Sequence, residues 1–113
     1  MVTIMTTSAI INKLKNIEQK QQYAEFHFGL AGSYANGTQT EGSDIDIVVN
    51  TGNLSPDEME DIKSYFPGVD VDVLQLELLR QEDEMLDEFA RQMGIPVNED
   101  SVYKTVKREV MWV

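Results

Sequence analysis

Gly32-Ser33-Tyr34-Ala35-Asn36-Gly37, followed after a polar loop by Ser43-Asp44-Ile45-Asp46-Ile47-Val48-Val49, is the stretch on which the reading of this chain turns. Immediately before it, Phe26 to Leu30 alternates with period two and predicts a strand. The small, Gly-rich run after it suits a tight strand-to-helix turn. Thr38 to Ser43 is a polar loop, and Asp44 to Val49 predicts the next strand. Residues two apart in a strand share a face. Asp44 and Asp46 therefore stand side by side, while Ile45 and Ile47 face the core. Two neighbouring carboxylates repel, and each raises the other's pKa unless a cation lies between them. Such oxygen ligands suit Mg²⁺ or Mn²⁺. An Asp-x-Asp pair alone fits a wet edge strand equally well, and the spacing is not that of an EF-hand.

Working outward strengthens the pattern. Val69 to Leu74 predicts a third strand, which carries Asp70 and Asp72. If it neighbours the second strand, a third carboxylate joins the pair. Three carboxylates around two divalent ions make the clamp used in phosphoryl and nucleotidyl transfer. Gly32 and Ser33 end a strand where a helix can begin, a place where backbone N–H groups point at anions. Gly allows close approach to a phosphate, and the Ser hydroxyl adds a donor. Turn, spacing and paired acids together are far harder to obtain by chance than any one of them.

Helices are expected around this frame. Ile10, Ile11, Leu14 and Ile17 predict one over 8–21. Ser55, Pro56 and Glu58 form a helix start that runs towards Pro67-Gly68. Glu77 to Met93 reads as an acidic amphipathic helix stopped by Gly94. Its apolar set is Leu78, Leu79, Met85, Leu86, Phe89 and Met93. Asp100 to Val113 predicts a last short helix. The expected fold is α/β (α+β): a small mixed β-sheet flanked by helices, in one domain over 1–113.

Composition narrows the class further. The 113 residues are 42% hydrophobic and 26% charged, an ordinary globular balance. There is no cysteine, which excludes disulfides, zinc–thiolate sites and thiol nucleophiles. No apolar run approaches the roughly 20 residues of a membrane helix. Met1 to Ser8 lacks a basic segment leading into an apolar one, so the expected location is cytoplasmic, with no membrane partner. Nine basic against twenty acidic residues give a net charge of −11. Seventeen of the acids lie between Glu41 and Asp100, against Lys63, Arg80 and Arg91. That surface repels phosphate backbones, so direct nucleic-acid binding is not expected. It serves solubility, or it docks a basic partner.

The Gly32–Gly37 and Ser43–Ile47 motifs resemble the signature of the polymerase-beta-type nucleotidyltransferases, above all their smallest members, the minimal nucleotidyltransferase domains. The family pattern is Gly-Ser-x-Ala-Arg-Gly, a short polar loop, then Ser-Asp-x-Asp and an apolar pair. The third acid lies on a later strand, as in Val71-Asp72-Val73-Leu74, and the tail from Ile95 to Tyr103 is similar too. The resemblance spans roughly residues 8–105.

It implies the polymerase-beta-type nucleotidyltransferase fold and the following roles. Gly32, Ser33, Gly37 and Ser43 belong to the nucleotide-binding segment, with Gly32 and Ser33 on the triphosphate of ATP. Asp44 and Asp46 hold two Mg²⁺ ions. Asp72 completes the metal site and helps activate the acceptor hydroxyl, with Asp70 as the competing candidate. The minimal members pair with a small helical HEPN-class RNase toxin. Its neutralisation is attributed to transfer of AMP onto a toxin tyrosine, which makes the minimal protein an antitoxin and a protein adenylyltransferase. Two other readings stand beside this one: a non-catalytic antitoxin that neutralises by binding alone, and a transferase acting on a small molecule such as an aminoglycoside. One departure matters. The family usually has Arg where this chain has Asn36.

Other singular residues carry less. His27 faces away from Phe26 and Phe28 and reads as a surface residue. Tyr34 in the turn reads as packing. Met111 and Trp112 fit either a core or a partner-binding patch. The six methionines sit mostly at helical apolar positions and read as core.

Overall fold

Ile10, Leu14 and Ile17 recur at helical spacing, and the helix they define, α1 (Thr7–Glu18), buries all three completely. The Thr6 side chain starts it by accepting from the Ala9 amide. The structure, a computed structural model, describes residues 5–113. α1 stops three residues short of the expected end because Tyr23 must be seated. A short 3-10 turn, Gln21–Tyr23, drops that ring into the core. There it meets Phe28 edge-on, with centroids 5.7 Å apart, and donates its hydroxyl to Asp61 at 2.7 Å.

The first strand, β1 (Phe28–Ala31), is shifted two residues from the expected start. The Phe26 amide donates back to Tyr23 O at 3.0 Å, so Phe26 belongs to the turn. A five-residue helix, α2 (Gly32–Asn36), follows and ends on Gly37, whose φ of 78° is the left-handed cap that Gly tolerates. Then come β2 (Ile45–Val49) and α3 (Pro56–Ser64). The capping box is formed: Ser55 Oγ accepts from the Glu58 amide at 3.1 Å, and Glu58 accepts from the Ser55 amide at 3.0 Å. The remaining elements are β3 (Val71–Gln75), α4 (Leu76–Met93), α5 (Val102–Glu109) and β4 (Met111–Trp112).

The sheet order is β3-β2-β1-β4, with β2–β3 parallel and the other pairs antiparallel. One face is the main core. Phe28, Leu30, Ile45, Ile47 and Val49 pack there with the apolar faces of α1 and α3. The other face holds a smaller cluster, Ala31, Val48 and Val106, which brings α5 over part of the sheet.

Two expectations are corrected. The end of the chain is not one helix: Val110 turns to an extended conformation and β4 pairs with β1. That pairing covers a sheet edge that would otherwise leave amides and carbonyls unmatched, and Trp112 and the valines around it suit a strand. The apolar set of α4 is not core. Met85 is 74% exposed, and Leu86, Phe89 and Met93 are each more than half exposed. The buried residues of α4 are Asp83 and Ala90. The reading of the methionines as core fails at the same place, and Met111 is exposed as well. The cause is packing: α4, about 27 Å long, rests mainly on the short α5 and touches the sheet chiefly at β3, so most of its apolar side chains have nothing to cover them. The radius of gyration is accordingly 15.5 Å, against about 13 Å for a compact chain of this length.

Candidate active site

The parallel pairing of β2 with β3 places Asp46 directly opposite Asp72. Residues opposite in register share a face, so the two carboxylates stand on the face that also carries Ala31 and Val48. Asp44 lies one residue before β2, exposed, and Asp70 one residue before β3. The Asp70 carbonyl accepts from the Ile45 amide at 2.9 Å, which carries the pairing past the strand ends and holds both acids near the same edge. Ile45 and Ile47 are fully buried on the opposite face, as the alternation requires.

Asp46 is the centre of the arrangement. Its pKa is raised, first by burial, then by the charge of Asp72 and then by that of Asp44. Of the two candidates for the third acid, Asp72 is the one that stands opposite Asp46 in register, while Asp70 precedes β3. Among the described residues no three Asp, Glu or His side chains converge tightly enough to hold an ion as they stand. The donor set still fits one. It is oxygen only, it is under mutual repulsion, and it matches the chemistry of hard divalent cations.

The Gly-rich turn abuts this cluster. Gly32 has φ 71°, and a Cβ placed on it would collide with Asp46 Oδ2. Both the conformation and the close approach therefore demand Gly. Ser33 follows, half-buried, and its carbonyl accepts from the Gly37 and Thr38 amides. Gly37 closes α2 with open space around its Cα. Ser43 sits apart from the turn's hydrogen bonds; its hydroxyl accepts from the Thr40 amide at 2.9 Å and shapes the loop into β2. Asn36 is exposed, and its side-chain oxygen accepts from both the amide and the hydroxyl of Thr38. The position thus serves the local turn and offers no cation. Tyr34 is buried, as packing required, and His27 is on the surface.

Residues 10–101 match the family described as nucleotidyltransferase domain. The chain belongs to that family. This nucleotidyltransferase is 39% identical over 79 residues to a Methanocaldococcus jannaschii protein named "Putative protein adenylyltransferase", a match covering 66% of the chain and 79% of the relative. Its fold is shared with a solved structure described as "Crystal structure of the toxin-antitoxin with AMP-PNP". That superposition has a TM-score of 0.53 at 20% identity and covers 96% of this chain and 72% of the other. The nucleotidyltransferase is thus an enzyme of the transferase class with the mixed α/β architecture of that fold.

Sequence reasoning counts Asp83 with Glu82 and Glu84 as an acidic docking surface, and misses that Asp83 is buried and faces Lys104. Asp83 is 5% exposed on α4, and Lys104 Nζ from α5 lies 3.8 Å from its Oδ2. A signal was present. Leu79, Asp83 and Ala90 recur at helical spacing, so an acid shares the inward register of α4 with apolar residues.

Proposed function

We propose that this nucleotidyltransferase transfers AMP from ATP to a hydroxyl, a tyrosine of a partner HEPN-class RNase toxin, and acts as its antitoxin. The observation that carries the reading is the Gly32 turn pressed against Asp46, with Asp72 opposite it in register and Asp44 beside it. Gly32 and Ser33 would take the triphosphate with their backbone amides and the serine hydroxyl. Asp44, Asp46 and Asp72 would hold two Mg²⁺ ions, which lower the pKa of the attacking hydroxyl and neutralise the leaving pyrophosphate. The hydroxyl oxygen bonds to the α-phosphorus as the bond to the bridging oxygen breaks, and pyrophosphate departs. Asp72 helps draw the proton from the attacking hydroxyl. Adenylyl specificity is supported by the name of the archaeal relative, and the toxin context by the description of the structural neighbour.

Asn36 favours a second reading, an antitoxin that neutralises by binding without transfer, since the usual cation is absent there. One experiment separates them. The protein is incubated with Mg²⁺, host lysate and ATP labelled on the α-phosphate, with γ-labelled ATP in parallel and Asp44→Ala as control. Label on a protein from the α position alone, lost with Asp44→Ala, establishes the transfer. A stable complex without label establishes the binder and makes Asn36→Arg the next variant.

A further inference from the structure

The second half of the chain exposes an apolar face that the nucleotidyl-transfer chemistry does not use. Leu86, Phe89 and Met93 of α4 and Val102 of α5 lie in solvent. Between α4 and α5 is a cavity of about 100 Å³, walled by Leu79, Leu86, Val102 and Tyr103 and lined also by Glu82 and Asp83. Asp83 is the unusual member. Its carboxylate is buried, and its Oδ1 accepts no hydrogen bond. A buried polar atom in that state costs free energy unless something arrives to satisfy it.

The nearest cation is already shared. Lys104 Nζ donates to Asp87 at 3.0 Å and to Asn98 O at 2.7 Å, and lies 3.8 Å from the other oxygen of Asp83. One ammonium thus answers two carboxylates, and Glu82 at the cavity mouth adds a third negative charge. The site lacks a positive charge with a directed donor. Its walls are apolar, which suits a group whose charge is diffuse and weakly hydrated. A guanidinium meets both conditions better than an ammonium.

We propose that the α4–α5 groove seats the protein acceptor, and that an arginine side chain of that partner, set among apolar neighbours, inserts between Leu86 and Val102 to reach Asp83. The proposal rests on the reading above that the acceptor is a protein. Charge complementarity selects the occupant. A second copy of this chain would bring Glu82 and the unsatisfied Asp83 against their own equivalents on a molecule of net charge −11, whereas a basic side chain is attracted to them. Position agrees as well. α5 covers the sheet face that bears Asp46 and Asp72, so a partner on the groove lies on the same side as the acids.

The test uses the full chain, ¹⁵N-labelled, titrated with butylguanidinium and with the uncharged butylurea. Saturable shifts at the Asp83, Leu86 and Val102 amides are expected, with butylguanidinium favoured about tenfold or more. Asp83→Asn should erase that preference. Leu86→Lys, at an exposed position that leaves the core intact, should abolish guanidinium binding without changing ATP affinity. Equal shifts with both probes, shifts elsewhere, or no saturable shift overturn the proposal. So does a dimer in sedimentation that Phe89→Lys dissociates, because the face then belongs to a second copy. The two readings fail separately. Unchanged labelling by Asp44→Ala would sink the transfer chemistry and leave the groove standing, whereas guanidinium indifference with normal labelling by Leu86→Lys would sink only the groove.

Discussion

The two faces of the sheet use the same kind of amphipathic helix to opposite ends. On one, α1 lays Ile10, Leu14 and Ile17 against Phe28, Leu30 and Ile47, and all six are fully buried. On the other, α5 covers only part of the sheet, the strand acids stay open, and α4 holds Leu86, Phe89 and Met93 in solvent. The first face is built for stability. The second leaves open what the chemistry needs. A helical stripe of apolar residues therefore shows that a face exists, not what covers it.

If that division is real, substitutions on the second face should cost function and those on the first should cost folding. Asp46→Asn should have the largest effect, a loss of about 10³-fold or more in nucleotidyl transfer, equivalent to about 4 kcal/mol. Its thermal midpoint should hold or rise, since Asp72 and Asp44 both repel the native carboxylate. A marked fall in the midpoint would break the comparison at once. Leu14→Ala should lower stability by about 3 kcal/mol, read from denaturant midpoints, while the folded protein keeps its specific activity.

Gly32→Ala tests the seam between the two rules. Positive φ costs about 1–2 kcal/mol for a side chain, and the new Cβ must displace Asp46. Stability and transfer should fall together, and a Gly32→Ala protein that stayed active and stable would show that turn and acid are not coupled. Ser55→Ala removes the capping box of α3 and should cost about 1 kcal/mol of stability with no change in transfer. Phe89→Ser should be smallest of all. An exposed residue with no core contacts to lose should shift stability by less than about 0.5 kcal/mol, and a larger loss in chemical denaturation would show that α4 packs against something it is not seen to touch.

The order of strands and helices up to α4 was legible because it rests on local signals: period-two alternation at β2, the Ser55–Pro56–Glu58 start, and Gly94 as a stop. Much of the candidate site was legible for the same reason, since the Gly32 turn and the Asp44–Asp46 pair lie within fifteen residues of each other. What failed depended on distant contacts. β4 exists because β1 has a free edge, which nothing near Met111 declares. The sequence motif favours Asp72 over Asp70 through the apolar Val73-Leu74 after it, and the register of β3 on β2 puts Asp72 opposite Asp46. The exposure of Met85 and Phe89 depends on what packs against α4, which is chiefly the short α5 and not the sheet.

The pairing of β2 with β3 has a consequence for the enzyme's own assembly. A slip of one residue would turn Val71 and Val73 towards the acids and send Asp72 into the hydrophobic layer. Chemistry and core would be lost in the same event. A wrongly zipped molecule would thus be inert rather than promiscuous, and no half-built copy could place a nucleotide on an unintended acceptor. The strand ladder serves as a fidelity check on a reaction whose errors would be covalent.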